Sequence, residues 1–293
     1  MSIVEQALEK SRAEPRSGPS RRAGDDGAQR SAGRAKQAAA IDPALRIRPL
    51  AVALDADLCR ERRLLLRGAS EKDGAAVAAY RMLRTRLLHR ARAHQWTTIA
   101  VTSAGPNDGK TLTALNLAIS MAREKSREIV LLDMDMRNPS VCRTLGIHPP
   151  HELRHYLETG EHAKDMFVSV CSENLMICGS TTPTEQASEL LASPRYDDLI
   201  RVVKQGTVEP IVLIDLPPVL LTDDALVVAP KVDAVLVVVS EGLTSKAGLA
   251  KALDLLSEFR IAGVVLNRTV ETVPSYNYGY ESDDPKGAAG KGT

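Results

Sequence analysis

The strongest chemical signal in the sequence is the run Ser103-Ala104-Gly105-Pro106-Asn107-Asp108-Gly109-Lys110-Thr111. It follows an apolar stretch, TTIAVTS (97–103), and opens a helical one, the setting that a phosphate loop requires. Main-chain N–H groups of such a loop turn inward toward phosphate oxygens, and the helix N-terminus adds partial positive charge. The spacing makes Gly105, Pro106, Asn107, Asp108, Gly109, Lys110, Thr111 and Leu112 the candidate nucleotide cradle. Lys110 is placed for the β- and γ-phosphates of ATP and Thr111 for Mg²⁺. Ala104 stands where such loops usually have their first glycine, and Asn107 stands at another glycine position. Asn is among the few non-glycine residues that visit positive φ routinely, so the turn remains accessible.

Three carboxylates complete the chemistry. IVLLDMDMR (129–137) ends an apolar run in Asp133 and Asp135, and IVLIDLPP (211–218) ends another in Asp215. In a parallel sheet, ligands gather at the carboxyl ends of the strands, so all three acids are expected beside the loop. Asp215 is the expected outer Mg²⁺ carboxylate. Asp133 and Asp135 lie two apart, so on an extended segment both can face the metal and the γ-phosphate. One of them can take a proton from an attacking hydroxyl. Taken without the loop, the same two acids read as ordinary strand-end turn residues.

These side chains need a frame. The apolar runs 97–103, 129–133, 175–178, 211–215, 234–239 and 261–267 read as strands, and their near-continuous hydrophobicity predicts burial on both faces. Helical patterns lie between them at 110–123, 152–158, 185–205, 223–229 and 245–259, after a longer helix at 75–93. Alternation of this kind predicts an α/β fold with a mostly parallel central sheet and helices on both faces. Residues 1–13 read as a short amphipathic helix or a frayed terminus. Residues 14–45, rich in Arg, Gly, Ser and Ala, read as a disordered linker. The globular unit is expected over 46–270, with a flexible tail over 271–293.

The triplet GPNDGKT, LLDMDMR and VLIDLPP resembles the bacterial tyrosine kinases (BY-kinases) of the capsule and exopolysaccharide type, over about residues 75–280. The wider P-loop superfamily includes partition and division-site ATPases. Their signature Lys in K-G-G-x-G-K-T falls at Gly105 here, which sets this chain apart from the dimer-switch ATPases. The resemblance implies a protein-tyrosine kinase that uses ATP and Mg²⁺, with Lys110 and Thr111 on phosphate and metal. It places Asp133 and Asp135 in the motif that activates the tyrosine hydroxyl, Asp215 on the metal and Asn267 against adenine. It also implies a role in polysaccharide polymerisation or export. The implied setting is cytoplasmic, with recruitment to the inner face of the membrane by a transmembrane chain-length-determinant (polysaccharide co-polymerase) protein. The second reading is a nucleotide-dependent regulatory switch ATPase without tyrosine kinase activity.

Tyr276, Tyr278 and Tyr280 in SYNYGYES are half of the six tyrosines of the chain, flanked by residues that disfavour regular structure. A tail carrying hydroxyls suits autophosphorylation between copies, and BY-kinases similarly end in a tyrosine cluster. AAYRMLRTRL (78–87) resembles the family's ring-forming E-x-x-R-x-x-R helix; Arg81 and Arg84 match, and Ala78 replaces the Glu. A homo-oligomer is therefore expected, with a closed ring in question. His151-Glu152-Leu153-Arg154-His155 spells the H-E-x-x-H of zinc proteases. Its helix is short and follows Pro149-Pro150, and six residues rather than five precede His162, so the motif reads as a coincidence.

Composition narrows the rest. Hydrophobic residues make up 44% of 293 and aromatics only 3%, so the core must be aliphatic. Residues 1–95 hold 20 Lys and Arg against 11 Asp and Glu, and residues 96–293 hold 18 against 26. The globular part is thus net acidic, which argues against a nucleic-acid partner. No apolar run approaches the ~20 residues of a membrane helix, and no export signal is evident at the N-terminus. Cys59, Cys142, Cys171 and Cys178 form no CxxC pair and read as free thiols.

Overall fold

A computed structural model describes residues 45–66 and 74–269. The expected N-terminal helix, the linker and the tyrosine tail lie outside the described residues. The described chain forms eight strands: β1 (Leu50–Ala51), β2 (Thr98–Ser103), β3 (Ile129–Asp133), β4 (Val168–Ser169), β5 (Leu175–Cys178), β6 (Ile211–Asp215), β7 (Ala234–Ser240) and β8 (Ile261–Asn267). They make one sheet in the order β1-β4-β5-β3-β6-β2-β7-β8. Every neighbouring pair is parallel except β4 with β5. The helices are α1 (Ala56–Glu61), α2 (Gly74–His94), α3 (Lys110–Met121), α4 (Val141–Leu145), α5 (Leu153–Thr159), α6 (Ala187–Ala192), α7 (Pro194–Gly206), α8 (Asp224–Val228) and α9 (Lys246–Leu255).

Strand alternation divides the core into two layers. On β3, Ile129 and Leu131 join one apolar cluster while Val130 and Leu132 join the other; Val212 and Leu213 of β6 part in the same way. Both faces of these strands are therefore dry, which explains runs that are apolar without a polar alternate. Helices α2, α3 and α4 cover one face, and α5, α6, α7, α8 and α9 cover the other. β8 departs from the expectation. It is an edge strand, most of its residues are half-buried and Leu266 is exposed.

Helix α3 matters most for the site, because its first turn carries Lys110 and Thr111. Nine of its residues are buried, including Thr113, Asn116 and Ser120. Asn116 Oδ1 accepts from Leu65 N at 2.8 Å, and its amide donates to Arg63 O at 3.1 Å. Arg84 Nη1 donates to Ser120 O at 2.9 Å, placing a cation on a carbonyl of the last turn, where the helix dipole favours it. Arg84 is thus occupied within the chain, whereas Arg81 is exposed.

The stretch expected as one helix over 185–205 is two helices. Ser193 is extended and Pro194 occupies the first position of α7, since the residue before proline avoids the helical region. Four short elements gave no periodic signal: β1, β4, α1 and α4.

Asp233, just before β7, fastens that strand to the start of β2. Its Oδ2 accepts from Thr97 N at 2.7 Å, Thr98 N at 2.8 Å and Thr98 Oγ1 at 2.9 Å. Partial burial raises its pKa, but these donors outweigh that and hold it below the ordinary carboxylate value. A depressed folded pKa gives stability that is present above the unfolded value and lost as pH falls through the folded one. Asp233→Asn is therefore expected to cost about 1–3 kcal/mol at neutral pH. The difference from wild type in urea melts should shrink toward zero as pH falls through the depressed folded value of Asp233.

Candidate functional site

The phosphate loop bridges β2 and α3. Asn107 has φ 61° and Gly109 φ 88°, the two left-handed turns that fold the loop back on itself. Among the described residues Ala104 is not one of those with positive φ, so its methyl group costs the turn little. Asp108 is the loop's internal tie. Its Oδ2 accepts from Gly105 N at 2.9 Å and its Oδ1 from Thr244 Oγ1 at 2.6 Å, and its side chain is buried. Asn267, the last residue of β8, donates through Nδ2 to Asp108 O at 2.9 Å. A Cβ on Gly109 would run into that same amide, so Gly109 is required both by its dihedral and by this close approach. Asn267 thus sits at the loop itself, on the main chain of Asp108.

The three expected acids do converge. Lys110 Nζ lies 2.6 Å from Asp135 Oδ2 and 3.8 Å from Asp215 Oδ2. Thr111 Oγ1 donates to Asp215 Oδ2 at 2.6 Å and receives Ser140 Oγ at 3.1 Å. Asp133 and Asp215 are paired across β3 and β6 in the sheet register. Asp133 Oδ2 accepts from Ser140 N and Val141 N, both at 2.9 Å, and so caps α4. Its Oδ1 accepts from Asp135 N at 3.2 Å.

Electrostatics follow from burying three carboxylates around one ammonium. Burial, reinforced by the charge of Asp215, pushes Asp133 up to about 7. Burial also pushes Asp215 up to about 6, against the pull of Lys110 and the Thr111 hydroxyl. Burial alone lowers the Lys110 value, but Asp215 and Asp135 more than reverse that, and the side chain stays charged. The cluster carries surplus negative charge that a divalent cation can neutralise. Asp215 Oδ1 is buried without a hydrogen-bond partner among the described residues, an orphaned lone pair of the kind a hydrated cation satisfies. An oxygen-only donor set, Thr111 with the acids, fits Mg²⁺.

Several neighbours carried no separate signal in the sequence. Arg137 donates to Asp224 through Nε at 2.9 Å and to Ser188 Oγ through Nη2 at 3.0 Å. Asp224 is fully buried, and Ser188 Oγ donates to it at 2.5 Å. This ion pair pins the segment after β3 to α8. Arg137 was visible only as the last letter of the D-x-D-x-R run. Ser140 and Thr244 sit in loops of unremarkable composition.

The H-E-x-x-H letters do not make a zinc-protease site. Glu152 Oε1 accepts from Thr181 N at 3.0 Å and from the hydroxyls of Thr181 and Thr182, which leaves it holding a loop. No helix among the described residues is long and apolar enough to cross a membrane.

Known proteins resemble this chain in sequence and fold. The ParA family model, described as NUBPL iron-transfer P-loop NTPase, matches residues 95–282. Tyrosine-protein kinase CpsD of Streptococcus pneumoniae serotype 4 is 31% identical over 184 residues, covering 61% of this chain and 78% of its own. The crystal structure of the VpsO kinase domain superposes with a TM-score of 0.60 at 27% identity, covering 68% of this chain and 98% of that one. The kinase domain of Escherichia coli tyrosine kinase ETK has the same fold, with a TM-score of 0.64 at 23% identity, covering 79% and 93%.

Proposed function

We propose, for a chain that belongs to the bacterial tyrosine kinases within the ParA-type P-loop NTPases, that it transfers the γ-phosphoryl of ATP to tyrosines of its own kind. The observation that carries this reading is the convergence of Lys110, Thr111, Asp135 and Asp215 on one point at the mouth of the phosphate loop. The residues proposed to cradle the nucleotide are Gly105, Pro106, Asn107, Asp108, Gly109, Lys110, Thr111 and Leu112. Pro106 and Asn107 are exposed, which leaves the loop open to ligand. Asn267 is proposed to serve by holding the loop as well as by bordering the base. Mg²⁺ on Thr111 and Asp215, with Asp133 and Asp135 around them, would draw negative charge from the phosphates.

The chemistry asked of the chain is proton transfer and charge balance. Asp135 accepts the proton of the tyrosine hydroxyl as its oxygen bonds to the γ-phosphorus, and the bond from that phosphorus to the bridging oxygen breaks, releasing ADP. Lys110 exchanges Asp135 for the transferring phosphoryl oxygens, where its charge is needed. That exchange frees Asp135 at the moment it must act as a base. Asp133 commits both oxygens to main-chain amides, which suits it to holding Asp135 in place.

The acceptors we propose are Tyr276, Tyr278 and Tyr280 of a neighbouring copy. By likeness to its relatives, the chain acts in capsule or exopolysaccharide polymerisation or export, in the cytoplasm, with a transmembrane chain-length-determinant protein as its membrane partner. The full chain incubated with labelled ATP and Mg²⁺ should take up phosphate on those tyrosines. A variant with all three changed to Phe should bind nucleotide normally and fall to background labelling. Hydrolysis of ATP with no phosphotyrosine on any residue would instead establish a nucleotide switch.

A further inference from the structure

Four of the six histidines of the chain fall within residues 148–162, outside the loop and the acids around Lys110. Three of them come together in the structure. His155 Nε2 lies 3.7 Å from Glu161 Oε2, and the rings of His155 and His162 have centroids 6.2 Å apart. One ligand atom from each of His155, Glu161 and His162 lies within 4.8 Å of the other two, and all three side chains are exposed. The ring of His151 lies flat on His162, with centroids 3.7 Å apart and planes 7° apart.

The backbone brings this group together around the end of α5. Gly160, at φ 86°, reverses the chain, and His162, at φ 60°, turns it again. Thr159 Oγ1 donates to His155 O at 2.9 Å and accepts from Glu161 N at 3.2 Å, tying the two ligand-bearing residues to one side chain.

The geometry points to a divalent transition-metal site formed by His155, Glu161 and His162, which shares no residue with the nucleotide site and differs from it in chemistry. Two imidazoles and one carboxylate suit Zn²⁺, Co²⁺ or Ni²⁺, whereas Mg²⁺ and Ca²⁺ prefer oxygen donors throughout. Ligands bonded about 2.0–2.2 Å from one metal sit closer together than 4.8 Å, and exposed rotamers can close that distance without moving the backbone. His151 does not ligate. Stacked on His162, it fixes the plane of that ring, the orienting role that neighbours of a ligand commonly play. Three protein ligands leave at least one coordination position for water. Zinc-protease chemistry is a different arrangement, because Glu152 is occupied by Thr181 and His151 is outside the ligand set.

The test uses the untagged full chain, stripped with chelator and titrated with Co²⁺ while Mg²⁺ and ADP saturate the nucleotide site. One equivalent should bind and give visible d–d bands without the thiolate charge-transfer band that a cysteine ligand would add. His155→Ala and His162→Ala should each weaken binding about tenfold or more, and the double variant should abolish it. Glu161→Gln should weaken it as well. These positions are exposed, so unchanged thermal melts without metal will show that the variants fold. The proposal is overturned if the wild-type chain binds no stoichiometric Co²⁺ at micromolar concentration. It is equally overturned if the double variant binds as the wild type does.

Discussion

Lys110→Met is expected to lower tyrosine phosphorylation by about 10³-fold and to leave the fold standing. The side chain is largely enclosed and forms salt bridges with two of the acids, Asp135 at 2.6 Å and Asp215 at 3.8 Å. Removing it takes away the charge that meets the transferring phosphoryl group, and in the free chain it also removes the cluster's only close cation among the described residues. Asp133 and Asp215 already have raised pKa values, about 7 and about 6, with burial the first cause of each. An acid with a raised folded pKa binds more protons folded than unfolded, so its contribution to stability falls as pH rises from about 4 to about 7. Lys110→Met steepens that fall. Relative to wild type, its melting temperature should drop more at pH 8 than at pH 5.5, and labelled-phosphate incorporation at pH 8 reads the catalytic loss. Phosphorylation at the wild-type rate would mean that the loop does not grip the reacting phosphate.

Asp135→Asn is expected to cut the rate about 10²- to 10⁴-fold while changing nucleotide affinity only a few-fold. The amide keeps the shape and loses the basicity. Asp133→Asn is the informative partner. Asp133 Oδ2 accepts from Ser140 N and Val141 N, and an amide can offer only one acceptor oxygen to the three main-chain donors around it. That substitution should therefore lower stability by about 1–3 kcal/mol in addition to any loss of rate. Single-turnover kinetics with saturating nucleotide, set beside thermal melts, separates the two. If Asp133→Asn leaves stability untouched and Asp135→Asn leaves the rate untouched, the roles assigned to the two acids are reversed.

The frame of this molecule was legible because its inner strands are buried on both faces. Ile129–Asp133, Leu175–Cys178 and Ile211–Asp215 fall where unbroken apolar runs place them. The loop and the three acids were legible because a parallel sheet sends every strand-end carboxylate to the same edge. What stayed hidden is short or depends on pairing across the fold. α4 has five residues, too few for a helical period, and its cap is the side chain of Asp133, eight positions before the amide of Val141. The Arg137–Asp224 pair joins residues 87 apart, and nothing local distinguishes Asp224 from Asp223 beside it. Asn267 was expected against the base. Its tie to Asp108, 159 positions away, follows only from β8 lying beside β7 at the edge nearest the loop.

That tie fixes Asn267, the last residue of β8, beside the phosphate loop. Tyr276 follows nine positions later, a contour of at most about 30 Å. Whatever path those residues take, that span caps the reach of Tyr276 from its own site, so an acceptor on the same chain competes at a concentration set by the span and not by the solution. For a neighbour's hydroxyls to win over a molecule's own, the copies must be held side by side, and dilution becomes the simplest lever on which molecule is labelled.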